Sequence, residues 1–432
     1  MGTWETAEWA AAETSGIPRR ERRAGSFQTY LPDALVGVPL VLGREADSRV
    51  AEAEYAVRRL DRRAGADLAG ISRYLLRSEA IASSRIEGIA PNPRNVALAE
   101  LGLSEEVSGI GEQAQLVANN MTIVKSSTTA LVDAPTVQLD DVVDLQRALL
   151  PDAHRLHGVR ARQNWIGGSG HHPLDADFVP PAPERVPALL DDWITYLNGA
   201  AHSPIIQAAL VHAQFETIHP FADGNGRVGR ALIHTVLARR GLTSGAVLPV
   251  SLVLATHSGA YIEGLTAFRH SGEPGSSEAI AAREWWITTF ADAVIEASAQ
   301  AMSFAEDLDE LRGQWNVRLE QHRKRGGRTR RLRSDSAVTL VLRDLPGSPV
   351  LTPGTVQRIH GVTAAAAVRA LEELQSAEIL ETRSIGRRRR AYIASEVLDL
   401  VAATERRLAS TRFDTRLSPP VRPVPVRPPT PG

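Results

Sequence analysis

The chain contains no cysteine, which excludes disulfides and thiolate metal sites and leaves its stability indifferent to redox compartment. No stretch approaches the apolar length needed to span a bilayer. The opening residues do not read as a secretory leader, since Glu5, Glu8 and Glu13 stand where such a leader has cations followed by an apolar core. The expectation is a cytoplasmic protein with no membrane partner. Neither sign of charge dominates: the formal net charge is -1, and 432 residues at 43% hydrophobic and 23% charged suit a soluble chain of more than one domain.

Against that even background one run stands out, His219-Pro220-Phe221-Ala222-Asp223-Gly224-Asn225-Gly226-Arg227-Val228-Gly229-Arg230. Residues 205–218 before it are apolar on most faces and read as a buried helix. After it, Val228, Ala231, Leu232 and Val236 recur at helical spacing, and Arg239-Arg240-Gly241 supplies cations and a glycine for the helix end. The run therefore joins two helices.

Gly224-Asn225-Gly226 lets successive backbone N–H groups turn inward at a helix N-terminus, where the dipole favours anions. Arg227 and Arg230, three apart, share a helical face and offer forked donors to phosphate oxygens. Asp223 suits a divalent cation bridging those phosphates, since magnesium takes one or two carboxylates together with phosphate oxygens and water. His219 titrates near neutrality and is placed to accept a proton from an incoming hydroxyl. Together these residues describe a nucleotide-phosphate site.

The run matches H-P-F-x-D-G-N-G-R-x-x-R in full, and the chain resembles the Fic family. The resemblance extends to Gly158-Val159-Arg160, Gln163 to Gly168 and Phe178-Val179-Pro180-Pro181, which are similar to the family's β-hairpin flap, and to Tyr261-Ile262-Glu263-Gly264-Leu265, similar to the helix that covers the nucleoside. It implies transfer of AMP from ATP to a Ser, Thr or Tyr hydroxyl of a target protein, with release of pyrophosphate. By the same resemblance His219 is the catalytic base, Asp223 the magnesium ligand, and Gly224, Asn225, Gly226, Arg227, Arg230 and Tyr261 the nucleotide-binding residues. Gly224 argues against the kinase-like branch, which carries a bulkier residue there. Donors other than ATP, and removal rather than transfer of AMP, stay open.

Ser83-Ser84-Arg85-Ile86-Glu87-Gly88 fits [S/T]-x-x-x-E-[G/N], the family's inhibitory helix, within an apolar-periodic stretch. The resemblance implies that Glu87 pairs with Arg230 and denies it to the γ-phosphate, with Ser83 and Gly88 completing the motif.

Beyond the core, residues 318–333 are basic and glycine-containing. Caps at Ser336, Thr352-Pro353 and Thr363 then predict three short helices, and two strands follow around Gly386-Arg387-Arg388-Arg389-Arg390. This order resembles a winged helix-turn-helix. Its arginines suit DNA phosphates, although Thr363-Ala364-Ala365-Ala366-Ala367 offers little to read base edges. The fold class expected is mainly α: a Fic-type helical core with a small β-hairpin flap, plus a C-terminal winged helix domain. Its divisions are residues 1–106 with the inhibitory helix, 107–310 as core, 311–333 as basic linker, 334–402 as winged helix, and 403–432 as a helix end and disordered Pro/Arg-rich tail. The alternative to an autoinhibited enzyme is a DNA-binding regulator that uses the core as a nucleotide sensor; the winged helix suits protein interaction or dimerisation as well as DNA, and a homodimer is among the expected partners.

Overall fold

The computed structural model describes residues 2–11, 17–37, 40–64, 68–244, 247–387, 389–401 and 403. The expected tail, residues 410–432, lies outside them. Strands β1 (Thr3–Trp9) and β2 (Gly25–Leu31) form an antiparallel hairpin, followed by α1 (Arg44–Ala64), α2 (Leu68–Ile86), α3 (Pro93–Gly102), α4 (Glu112–Ser127), α5 (Ala130–Asp133) and α6 (Leu139–Leu149). The centre comprises α7 (Val186–Asn198), α8 (Pro204–Ile218), α9 (Asn225–Arg239), α10 (Val250–Thr256) and α11 (Ser258–Phe268). Then come α12 (Ser277–Arg325), α13 (Ala337–Asp344), β3 (Val350–Leu351), α14 (Pro353–His360), α15 (Ala364–Ser376), β4 (Glu381–Gly386) and β5 (Arg389–Ile393). The architecture is mainly helical with small antiparallel sheets, as the sequence predicts. No helix among the described residues is long and apolar enough to cross a membrane.

Helix α8 is buried along its whole length, which explains why its sequence is apolar nearly all round, and α9 is buried along almost all of its length although it carries Arg227, Arg230 and His234. Around this pair α4, α6, α7 and α12 pack as a shell, and α2 lies across α4, α9 and α10. Trp193 and Trp286 fill the shell's inner surface while their indole N–H groups donate to Val211 O and Ala209 O on α8, at 2.9 and 2.8 Å.

Two expectations change. The flap narrows to one antiparallel bridge, Ile166 opposite Phe178, because left-handed Gly167 and Gly168 and the prolines at 173, 180 and 181 interrupt any ladder. The β1–β2 hairpin lies against it instead, through Tyr30 N–H to Val179 O at 3.1 Å and Thr29 Oγ1 to Pro180 O at 2.6 Å. The stretch read as a linker from residue 311 is helical through Arg325, because apolar Leu311, Trp315 and Leu319 are buried on one side of it.

The C-terminal caps sit at the expected residues. Ser336, Thr352 and Thr363 each accept from the backbone N–H three residues on, and Gly361 closes α14 with φ 66°. Strands β3, β5 and β4 pair in that order as an antiparallel sheet.

Candidate nucleotide site

Helix α8 ends where Pro220 forbids continuation, and His219 takes a left-handed backbone, φ 49° and ψ 59°, that a residue with a Cβ adopts only under constraint. The constraint comes from residues 160–164. Buried Arg160 donates from Nε to His219 O at 2.9 Å and from Nη2 to Pro181 O at 2.6 Å, and its backbone N–H reaches Pro220 O at 2.8 Å. Asn164 Nδ2 donates to Phe221 O at 2.9 Å and to His219 O at 3.3 Å. Burial first, then the cations Arg269 and Arg160, push the His219 imidazole down to about 4, with Glu87 pulling weakly the other way. At neutral pH the ring is unprotonated, the state a general base requires.

The loop that follows is held from within. Asn225 Oδ1 accepts from Phe221 N–H at 2.8 Å and its Nδ2 donates to Phe221 O at 2.9 Å, so both ends of this buried amide are committed to the turn. Sequence reasoning gave the Asn225 side chain to phosphate; the structure gives it to loop shape. Gly224 enters α9 with φ 90°, and a Cβ there would stand 2.9 Å from Leu149 Cδ2. Gln146, also buried, donates to Leu156 O at 2.8 Å and Asp223 O at 3.3 Å while accepting from Gly158 N–H at 3.1 Å, tying the motif to residues 156–158. The first amides of α9, at Asn225, Gly226 and Arg227, have no carbonyl within their own helix to bond. They form an anion-favouring terminus.

Two guanidiniums flank that terminus. Arg227 is buried, its Nε and Nη1 lack partners, and its Nη2 approaches Asp223 Oδ1 only to 3.5 Å. Burial lowers it, against the pull of Asp223 and Glu87, which marks it as a cation short of negative charge. Arg230 is held at three points by α2: Nε to Ser83 Oγ at 3.0 Å, Nη2 to Ser83 O at 2.8 Å, and Nη2 to Glu87 Oε1 at 2.7 Å. Burial works against the Arg230 charge, yet Glu87 raises it above its ordinary value. Burial likewise acts to raise Glu87, and Arg230 more than offsets it, holding the carboxyl below the usual range. Glu87 keeps 37% of its side chain open to solvent, so the pair is accessible from the cleft.

Gly88, φ 76°, ends α2 through Gly88 N–H to Arg85 O and Ile89 N–H to Ser84 O, a paired-carbonyl cap that fixes where Glu87 projects. Tyr261, expected over the nucleoside, is buried instead: its hydroxyl lies 2.9 Å from His212 Nε2, and the ring packs near Trp286. Its hydroxyl also interacts with Arg230 from behind. Glu216, missed in the sequence, lies beneath the site with Oε2 3.9 Å from His219 Nδ1, and burial pushes it up to about 7.

Among the described residues no group of three or more His, Cys, Asp or Glu could hold a metal ion by itself. Asp223 is a single, half-exposed carboxylate beside the α9 terminus. That donor set fits magnesium only when substrate phosphates supply further oxygens.

Residues 136–237 match the Fic/DOC family. The chain is similar to a protein adenylyltransferase Fic of Nematostella vectensis, 34% identical over 139 residues, covering 32% of this chain and 29% of the relative. It is also similar to a protein of the same name from Drosophila virilis, 27% identical over 233 residues, covering 53% of this chain and 44% of that one. The chain thus spans less than half the length of these relatives. In fold it resembles a Fic family protein from Desulfovibrio desulfuricans, with TM-score 0.51 and 20% identity, covering 84% of this chain and 98% of the other.

Proposed function

We propose that this chain, whose residues 136–237 match the Fic/DOC family, is a protein adenylyltransferase held inactive by the end of its own α2. The observation that carries the reading is the pairing of Arg230 with Ser83 and Glu87 directly beside a helix terminus suited to phosphate. Once Glu87 leaves, Arg230 and Arg227 present forked donors to the triphosphate, and the first amides of α9 receive phosphate oxygens. Neutral His219 takes the proton of a target Ser, Thr or Tyr hydroxyl. The freed oxygen forms a bond to the α-phosphorus as the bond to the α–β bridging oxygen breaks, and pyrophosphate departs. Asp223 would hold magnesium, which when bound neutralises charge on the phosphates. The protein's contribution is placement and preorganised charge.

Transfer of label from ATP tagged on the α-phosphate, with magnesium, tests this in wild type, Glu87→Gly, and Glu87→Gly combined with His219→Ala. Freed of a charge-assisted hydrogen bond to a partly exposed carboxylate, Glu87→Gly should label about tenfold more than wild type. The double variant should not label at all. Equal labelling of wild type and Glu87→Gly would remove the inhibitory role, and label surviving His219→Ala would remove the base.

A second reading, nucleic-acid binding beside the C-terminal unit, is favoured by Arg330 and Arg331, which line a cavity of about 820 Å³ where Arg323, Arg328 and Lys324 are already paired with Glu373 and Glu320. It predicts a salt-sensitive mobility shift of duplex DNA that weakens when Arg330 and Arg331 are replaced by Ala.

A further inference from the structure

The segment that follows Glu87 does not end in solvent. Five residues after it, Asn92 caps α3, and α3 is built into the C-terminal unit. Ala97, Leu98 and Leu101 of α3 share one apolar cluster with Val350, Ile385, Ala391 and Ile393 of the β3-β5-β4 sheet. The loop after α3 continues the contact. Ser108 N–H donates to Ile385 O at 2.8 Å, and Glu105 accepts from Thr352 Oγ1 at 2.8 and 2.9 Å, from Thr355 Oγ1, and from Arg389 Nη2 at 3.4 Å.

Helix α2 joins the same assembly through Arg77. This guanidinium is fully buried, donates to Glu100 Oε2 of α3 at 2.7 Å, and donates to Gly347 O of the C-terminal unit at 3.1 Å. Burial acts to raise Glu100, and Arg77 and Arg73 more than offset it, so its carboxylate stays ionised as their counter-charge. A buried cation of this kind tolerates no loss of its partners. Gly347 O, Glu100 and Arg77 therefore keep their places together or are disrupted together. Ten residues on from Arg77, in the turn that ends α2, stands Glu87, on Arg230.

We infer that the C-terminal unit is a clamp on the inhibitory helix: docked on α3 it holds α2 over Arg230, and release of the unit from α3 frees Glu87 and switches the enzyme on. The inference rests on the adenylyltransferase reading for its activity readout, but the coupling itself is structural. It requires one element with two arrangements that both sites bias.

The test uses the full chain and Glu105→Ala, which removes the shared acceptor of Thr352, Thr355 and Arg389. Transfer from α-labelled ATP should rise about fivefold or more. In a Glu87→Gly background the same change should add nothing, because the clamp acts only through Glu87. A second variant guards against simple unfolding. A Cβ at Gly386 would lie 3.4 Å from Ser108 Oγ, and the chain has no other cysteine, so Ser108→Cys with Gly386→Cys allows one unambiguous cross-link, and its reduced form, with Glu105 intact, controls for the strain of a side chain at φ 158°. Oxidised, it should return Glu105→Ala to the wild-type rate; reduced, it should release it. Hydrogen exchange over residues 78–92 reads the coupling without activity and should quicken in Glu105→Ala. Unchanged exchange and unchanged transfer, with Glu87→Gly still activating, would overturn the clamp. Faster exchange with no activation by Glu87→Gly would keep the coupling and overturn the inhibitory reading instead.

Discussion

Glu87 rests against Gly226 so closely that a methyl group at position 226 would overlap its Oε1 and come within 2.8 Å of Arg230 Nη1. In the proposed enzyme the Glu87 carboxylate and an incoming phosphate would therefore compete for the same floor of the site. A Gly226→Ala change should dislodge Glu87, yet the same methyl crowds the first amides of α9. The expected result is a loss of transfer of about 100-fold, comparable to removal of one oxyanion donor, rather than activation. Comparing ATP affinity and transfer in Gly226→Ala and Glu87→Gly checks this, and an active Gly226→Ala enzyme would contradict it.

The acid limb of activity should be missing from its usual place. An ordinary histidine would gain its proton near pH 6.5, but burial and the cations Arg269 and Arg160 hold His219 down to about 4. Replacing Glu87 by Gly removes an anion that raises it, so the limb in that variant moves no higher. From about pH 5 to about pH 8 the kcat/KM of Glu87→Gly should stay level on the acid side. A fall beginning near pH 6.5 would mean that His219 is solvated in the working enzyme.

Stability should depend on pH in the opposite sense to a protein held by exposed histidines. Burial pushes His212 down to about 3 and His219 to about 4, so below pH 6.5 the unfolded chain takes up protons that the native state refuses. Glu216 acts against them: burial raises it from 4.5 to about 7, and the native state keeps a proton there that the unfolded chain releases. Two imidazoles outweigh one carboxyl. Between pH 4.5 and 6.5 stability should therefore climb by about 1 kcal/mol per pH unit, most steeply below pH 6. Thermal unfolding across that window, with a flat or falling Tm as the contrary outcome, decides it.

The motif was legible because its residues act over a few positions of one turn, and local spacing alone fixes what the α9 terminus and its arginines can do. Its supports were not. Arg160 bonds His219 across 59 positions and Gln146 bonds Asp223 across 77, and no short pattern marks such a pair. Asn225 and Tyr261 were given to the nucleotide by the family resemblance, and in the structure the Asn225 side chain bonds Phe221 and the Tyr261 hydroxyl lies beside His212. The C-terminal caps could be read because Ser336, Thr352 and Thr363 each satisfy a backbone donor three residues away. The long reach of α12 was hidden by its basic end: Arg318 pairs with Glu396 and Arg323 with Glu373, partners supplied by a later part of the chain.

Arg160 offers the sharpest separation of positioning from binding. Its guanidinium holds His219 O, Pro181 O and Ile218 O, and its backbone N–H holds Pro220 O, on both sides of a left-handed residue whose conformation costs of order 1–3 kcal/mol to maintain. It touches none of the residues assigned to phosphate. In Arg160→Met the stem is kept while the donors go, so His219 is free to relax toward an extended backbone and its imidazole loses registration with the α9 terminus. On the Glu87→Gly background kcat should fall about 100-fold while ATP affinity changes little. Calorimetric ATP binding beside steady-state transfer separates the two quantities. Loss of ATP affinity in step with kcat would mean that Arg160 supports the phosphate site as a whole, and an unchanged kcat would mean that Asn164 alone suffices to hold His219.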